Sequence, residues 1–157
     1  MNNIFLGVII VVIFTLCGYK FSLKYKERKE FFKDMFSFNE LMINEVSFRK
    51  RTLLEINDNQ SYKSKFSDIL NCYIENSFNE TDKNQSGLLI NKEVDFLDNY
   101  FSMLGKSDSE SQIKLLDTSK TIIKKYMDES SEQAKKYINL CIRLSFLFGL
   151  IAFLIII

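Results

Sequence analysis

The charges of this 157-residue chain are confined to its middle, and that partition limits the possible folds more than any motif does. All twenty Asp and Glu residues lie within residues 27–132, and twenty of the twenty-one Lys and Arg residues lie within residues 20–136. Only Arg143 falls outside. A formal net charge of +1 hides this arrangement and excludes a bulk basic character of the kind that binds nucleic acid. Apolar ends around a charged centre are what a lipid bilayer selects in a sequence.

Residues 4–19, IFLGVIIVVIFTLCGY, are sixteen uncharged and mostly aliphatic positions. At 1.5 Å per residue they cover about 24 Å, and their uncharged neighbours Asn2, Asn3 and Phe21 extend the run towards the roughly 30 Å of a hydrocarbon core. Residues 138–157 carry one charge, Arg143, whose long side chain can snorkel to the headgroups while LSFLFGLIAFLIII crosses. A cleaved signal peptide would want basic residues before the apolar run and an A-x-A-like site after it. The flank here is MNN, no such site follows, and Leu16 is too large for lipoprotein processing at Cys17. Lys20, Lys24, Lys26, Arg28, Lys29 and Lys33 follow the first apolar segment, and Lys120, Lys124, Lys125, Lys135 and Lys136 precede the second. Basic flanks stay on the cytoplasmic side. The expected organisation is therefore a transmembrane helix at residues 1–19, a cytosolic helical bundle at residues 20–137 and a second transmembrane helix at residues 138–157, with both termini outside. Lys20, Lys24 and Arg143 are the expected membrane-interface residues.

Within the charged middle the apolar spacing is helical, so the fold class is all-α. Phe31, Met35, Phe38 and Met42 step by four, three and four, and Leu41, Val46 and Phe48 widen the stripe. This predicts a first helix running from the membrane to about Ile56, broken by Asn57-Asp58-Asn59. Phe66, Ile69, Leu70, Tyr73 and Ile74 predict a shorter second helix, and residues 79–87 (NETDKNQSG) a loop. A third helix places Val94, Leu97, Phe101 and Leu104 on one face and ends at Gly105, expected as a left-handed terminator. Ser107 and Glu110 form an S-x-x-E capping box for a fourth helix, so the two helices make a tight antiparallel hairpin. Ile113, Leu116, Ile123, Met127, Ala134 and Tyr137 carry the pattern on, and nothing breaks it before the second apolar segment. The sequence lacks proline, which permits such long helices.

Chemistry is sparse. The chain has no His, and Cys17, Cys72 and Cys141 are too widely spaced for a zinc site. There is no phosphate-binding glycine loop and no nucleophile elbow. Asp95 and Asp98, like Asp128, Glu129 and Glu132, read as solvated helix faces. No cofactor, no metal and no catalytic residue is expected, and the chain reads as a non-enzyme. The stripes of Phe, Tyr and Met are explained by core packing.

The layout resembles the stage III sporulation protein AB family of endospore-forming bacteria. Gly18-Tyr19 closes the first apolar segment, and Arg28 follows it. Phe38, Leu41, Glu45, Val46 and Phe48 resemble the family's leucine-rich stretch with its acidic residue. Leu104-Gly105-Lys106-Ser107-Asp108 and Gln112 match its L-G-x-S-D-x-x-x-Q signature, and Arg143-Leu144-Ser145 with Gly149 its closing R-L-G-x-L-x-G-L segment. Two departures stand out: the family's proline after the acidic stretch is missing, and Ser145 replaces a common glycine.

The resemblance implies a cytosolic domain like that of the inner-membrane platform proteins of type II secretion and type IV pilus machines. It implies a non-catalytic platform in the channel apparatus between mother cell and forespore, seated in the mother-cell-derived outer forespore membrane. The implied partners are a cytosolic ATPase, stage III sporulation protein AA, and other channel membrane proteins, besides membrane lipid. A homo-oligomer stays open. Glu45, Leu104, Gly105, Ser107, Asp108 and Gln112 become candidate partner contacts, with turn and cap roles competing at Gly105 and Ser107. A membrane-tethered helical scaffold or signalling adaptor unrelated to sporulation is the alternative.

Overall fold

The computed structural model describes residues 2–49, 62, 65–75 and 87–156. Their regular structure is helical: α1 (Asn2–Asn44), a π-helical turn (Glu45–Arg49), α2 (Lys65–Glu75), α3 (Asn91–Met103) and α4 (Ser109–Ile156). The expected break at Asn57-Asp58-Asn59, the extension to Ile56 and most of the polar loop 79–87 lie outside the described residues. The chain forms two compact units, one of Met1–Lys29 with Glu129–Ile157 and one of Glu30–Asp128. Both units use α1 and α4, which pass from one to the other as continuous helices.

The unit Glu30–Asp128 holds the core. The stripe of α1 is fully buried at Phe31, Met35 and Phe38, and Phe32 joins it from the next position round the helix. Phe66, Leu70 and Tyr73 of α2 close over this face, with Leu97, Tyr100 and Phe101 of α3 and Leu116 and Ile123 of α4. Phe38 is the hub of the aromatic packing, with ring centroids 5.6 Å from Phe66 and 6.2 Å from Phe101. Phe101 in turn stacks on Tyr73 at 4.3 Å. Aromatic rings supply large buried area and prefer offset or edge contacts, which gives this core some directionality.

Sharper direction comes from one buried amide. Asn39 is fully buried and joins three helices: its Nδ2 donates to the Leu116 carbonyl of α4 at 3.1 Å, and its Oδ1 accepts from the Tyr100 hydroxyl of α3 at 3.0 Å. Burial raises the Tyr100 phenol far above its ordinary pKa, so the hydroxyl keeps the proton it donates. At the surface, Lys120 pairs with Glu40 at 2.6 Å. Both side chains are about two-fifths exposed, so this ion pair adds little.

The other unit is an antiparallel pair. Gly7 of α1 packs against Phe153 of α4, Gly18 against Cys141 and Ser145, and Gly149 against Val11. Further along, the Tyr25 and Tyr137 rings stack at 5.0 Å, and Arg28 donates to Gln133 Oε1 at 2.5 Å. Small residues let helix backbones approach where no hydrophobic force separates helix from surroundings. A Cβ on Gly149 would lie 3.0 Å from Val11 Cα, and one on Gly18 would lie 3.0 Å from the Cys141 carbonyl oxygen and overlap the Ser145 side chain. The outer surface is apolar, with Phe5, Leu6, Val12, Leu147, Phe148 and Leu154 at least half exposed. Thr15 and Ser22 return their hydroxyl protons to the Val11 and Tyr19 carbonyls of their own helix, so neither asks for water. Both α1 and α4 contain stretches long and apolar enough to cross a membrane.

Replacing Asn39 by Leu leaves the Tyr100 hydroxyl buried without its acceptor. Thermal or denaturant unfolding should show a loss of roughly 1–3 kcal/mol, the range for an orphaned buried polar group. Restoring shape with Tyr100→Phe in the same chain should recover part of it.

Candidate functional site

The one polar constellation that the sequence singles out is the connection between α3 and α4, and the structure assembles it from five residues. Helix α3 ends at Met103, where the Leu104 N–H reaches back to the Phe101 carbonyl at 3.2 Å. Leu104 is extended (φ −64°, ψ 129°) and its side chain is buried in the core. Gly105 follows at φ +72°. An extended residue followed by one of positive φ is the central pair of a type II turn, in which the second position favours glycine. The positive φ at Gly105 agrees with the sequence reading; the motif is a turn after an extended residue rather than a left-handed helix terminator.

The start of α4 corrects the sequence reading by one residue. Asp108, not Ser107, is the N-cap: its Oδ2 accepts from the Ser111 N–H at 3.2 Å, and its carbonyl accepts from the Gln112 N–H at 2.9 Å. A carboxylate at the positive end of a helix is favoured by the helix dipole as well as by the hydrogen bond. Hydrogen bonds from the Ser111 side chain and then its backbone hold the Asp108 carboxyl below its usual pKa.

Ser107 is freed for a different contact. Its Oγ donates to Gln112 Oε1 at 3.1 Å, and the Gly105 N–H donates to the same oxygen at 3.1 Å. Gln112 is buried beneath the turn, so a side chain from the first turn of α4 latches the loop that precedes it. Gln112 Nε2 has no hydrogen-bond acceptor among the described residues. Each of Leu104, Gly105, Ser107, Asp108 and Gln112 therefore has a local structural task, and the turn and cap roles weighed at Gly105 and Ser107 resolve into a turn and a latch.

The remaining candidates sit elsewhere. Glu45 is buried at the start of the π-helical turn after α1. Lys20, Lys24 and Arg143 belong to the antiparallel pair and are exposed. The sequence reading passed over Asn39, Tyr100 and Glu93. Asn39 stands four residues after Met35 on the apolar face, and that placement was the available signal. Glu93 is fully buried and accepts from the Ile90 N–H at 3.0 Å, so a carboxylate caps α3 where the preceding residue, Ile90, has no polar side chain. Tyr73 and Asp98 also share a hydrogen bond, tying α2 to α3. No group of three His, Cys, Asp or Glu side chains that could hold a metal forms among the described residues.

Gly105→Ala should destabilise the fold by roughly 1–2 kcal/mol, the cost of a Cβ at positive φ, although nothing crowds the position. The folded-state pKa of Asp108 is depressed, so its stabilising contribution is complete above the ordinary carboxylate range and is lost as pH falls through the lower folded-state value. Melting curves of the parent chain and Asp108→Asn, which retains a good cap, should keep a constant offset from pH 7 to about pH 5. The offset should shrink below about pH 4.

Neither a curated protein nor a solved structure matches the chain. A protein family does: its description is Stage III sporulation protein AB, and it covers residues 3–157. Every site residue described above lies inside that span, and the chain belongs to the stage III sporulation protein AB family.

Proposed function

We propose that this sporulation protein is a non-catalytic platform of the mother cell–forespore channel apparatus, which links the cytosolic ATPase, stage III sporulation protein AA, to channel proteins in the membrane. In this reading the apolar ends of α1 and α4 cross the mother-cell-derived outer forespore membrane. Both termini lie outside, and the aromatic helical unit lies in the cytosol.

The observation that carries the proposal is the continuity of two helices. Helix α1 (Asn2–Asn44) and helix α4 (Ser109–Ile156) each run from an apolar segment into the unit that holds the core, without a linker. A load on that unit then reaches the membrane through main-chain hydrogen bonds instead of a coil. The basic flanks at Lys20, Lys24, Lys135 and Lys136 support the orientation. A role without catalysis accords with the way the polar residues are used. Ser107 is spent on Gln112 and Asp108 on the helix cap, so neither is arranged as a nucleophile or a base. Membership of the family makes the chain a sporulation-related protein, which sets aside the alternative of a scaffold with no tie to sporulation.

The full chain should co-purify with the ATPase from sporulating cells. Inserting a flexible Gly/Ser segment beside Lys135 should preserve that association yet lower spore counts to the level of a deletion strain. Normal sporulation with the insert in place would rule out transmission through α4, and failure to capture the ATPase would rule out the platform role.

A further inference from the structure

Charge is divided unequally between the two units. The antiparallel pair, Met1–Lys29 with Glu129–Ile157, holds eight Lys and Arg against three Asp and Glu, whereas Glu30–Asp128 holds thirteen against seventeen. The excess on the antiparallel pair is concentrated at one end. The contacts Gly18 with Cys141, Tyr25 with Tyr137 and Arg28 with Gln133 set the level of each helix against the other. Lys20, Lys24 and Lys26 on α1 and Lys135 and Lys136 on α4 therefore share a band about 15 Å tall, the rise of ten helical residues. All five are exposed. Among the described residues none of the five forms an ion pair or hydrogen bond, and Lys136 lies over the Tyr137 ring at 5.5 Å.

Apolar side chains are interleaved with these ammonium groups. Tyr19 and Phe21, on either side of Lys20, are 50% and 76% exposed. An acidic protein surface could satisfy the lysines but would leave the rings in water. A lipid surface satisfies both, because rings enter the acyl boundary while ammonium groups meet phosphates.

We propose that this band is a binding collar for anionic phospholipid headgroups, with Lys20, Lys24, Lys26, Lys135 and Lys136 as its contacts. The collar draws acidic lipid around the α1–α4 pair in preference to neutral lipid. The proposal rests on the reading that the two helices cross the membrane, and its test separates the two.

The full chain is reconstituted in phosphatidylcholine vesicles, washed with alkaline carbonate, and probed with spin-labelled phosphatidylglycerol and phosphatidylcholine. The expected result is a chain that stays with the vesicles and prefers the anionic probe about fivefold, the factor that one lysine supplies near an acidic surface. That preference should fall to near one in Lys20→Gln/Lys24→Gln/Lys26→Gln/Lys135→Gln/Lys136→Gln. It should also fall in the unmodified chain at 1 M salt, where the screening length is about 3 Å. Lys106→Gln/Lys114→Gln, which removes two charges from the other unit, should leave it unchanged. Equal affinity for the two probes, or a preference that survives either the five-lysine substitution or the salt, overturns the collar and leaves the membrane crossing intact. Release of the chain by carbonate overturns both.

Discussion

The helical unit depends on a single side-chain amide. Contacts among Phe31, Phe32, Phe38, Phe66 and Phe101 are strong in sum but tolerant of sliding, because dispersion and water exclusion have no fixed direction. Asn39 removes that freedom. Its two ends bond to Tyr100 and to the Leu116 carbonyl, so only one mutual level of α1, α3 and α4 satisfies both ends of the Asn39 amide. The stacking of Tyr73 on Phe101 and the closing of α2 over the core follow once that level is set.

The antiparallel pair reaches a unique register by the opposite route. It has few polar groups to match, and shape decides. Gly7, Gly18 and Gly149 each lie where a Cβ would collide with the facing helix. Ser145 is the side chain that fills the notch at Gly18.

The sequence was informative wherever the signal was local. The stripes 31-35-38-42, 66-70-73 and 97-101-104 became the buried faces of α1, α2 and α3 because helical period alone decides which residues share a face. Gly105 was legible as a position of positive φ because few other residues tolerate it. The helix cap was legible only to within a residue. Ser107 with Glu110 and Asp108 with Ser111 are overlapping candidates, and the carboxylate's advantage at the helix N-terminus separates them. Asn39 was missed because periodicity tells faces and not levels, and its partner hydroxyl is 61 residues away. The Gln112 latch was hidden for a related reason. A glutamine in the first turn of a helix reads as solvent-facing until the preceding turn is seen to fold over it.

The pairing of Gly7 with Phe153 has a consequence for how the protein is made. These residues are 146 positions apart, so this steric match cannot form until Phe153 has been added to the chain. At ribosomal speeds of 5–20 residues per second, the first apolar helix waits roughly 7–30 s for its counterpart. During that interval its glycine-notched face is bare. The α3–α4 turn, closed by contacts a few residues apart, can by contrast form as it emerges.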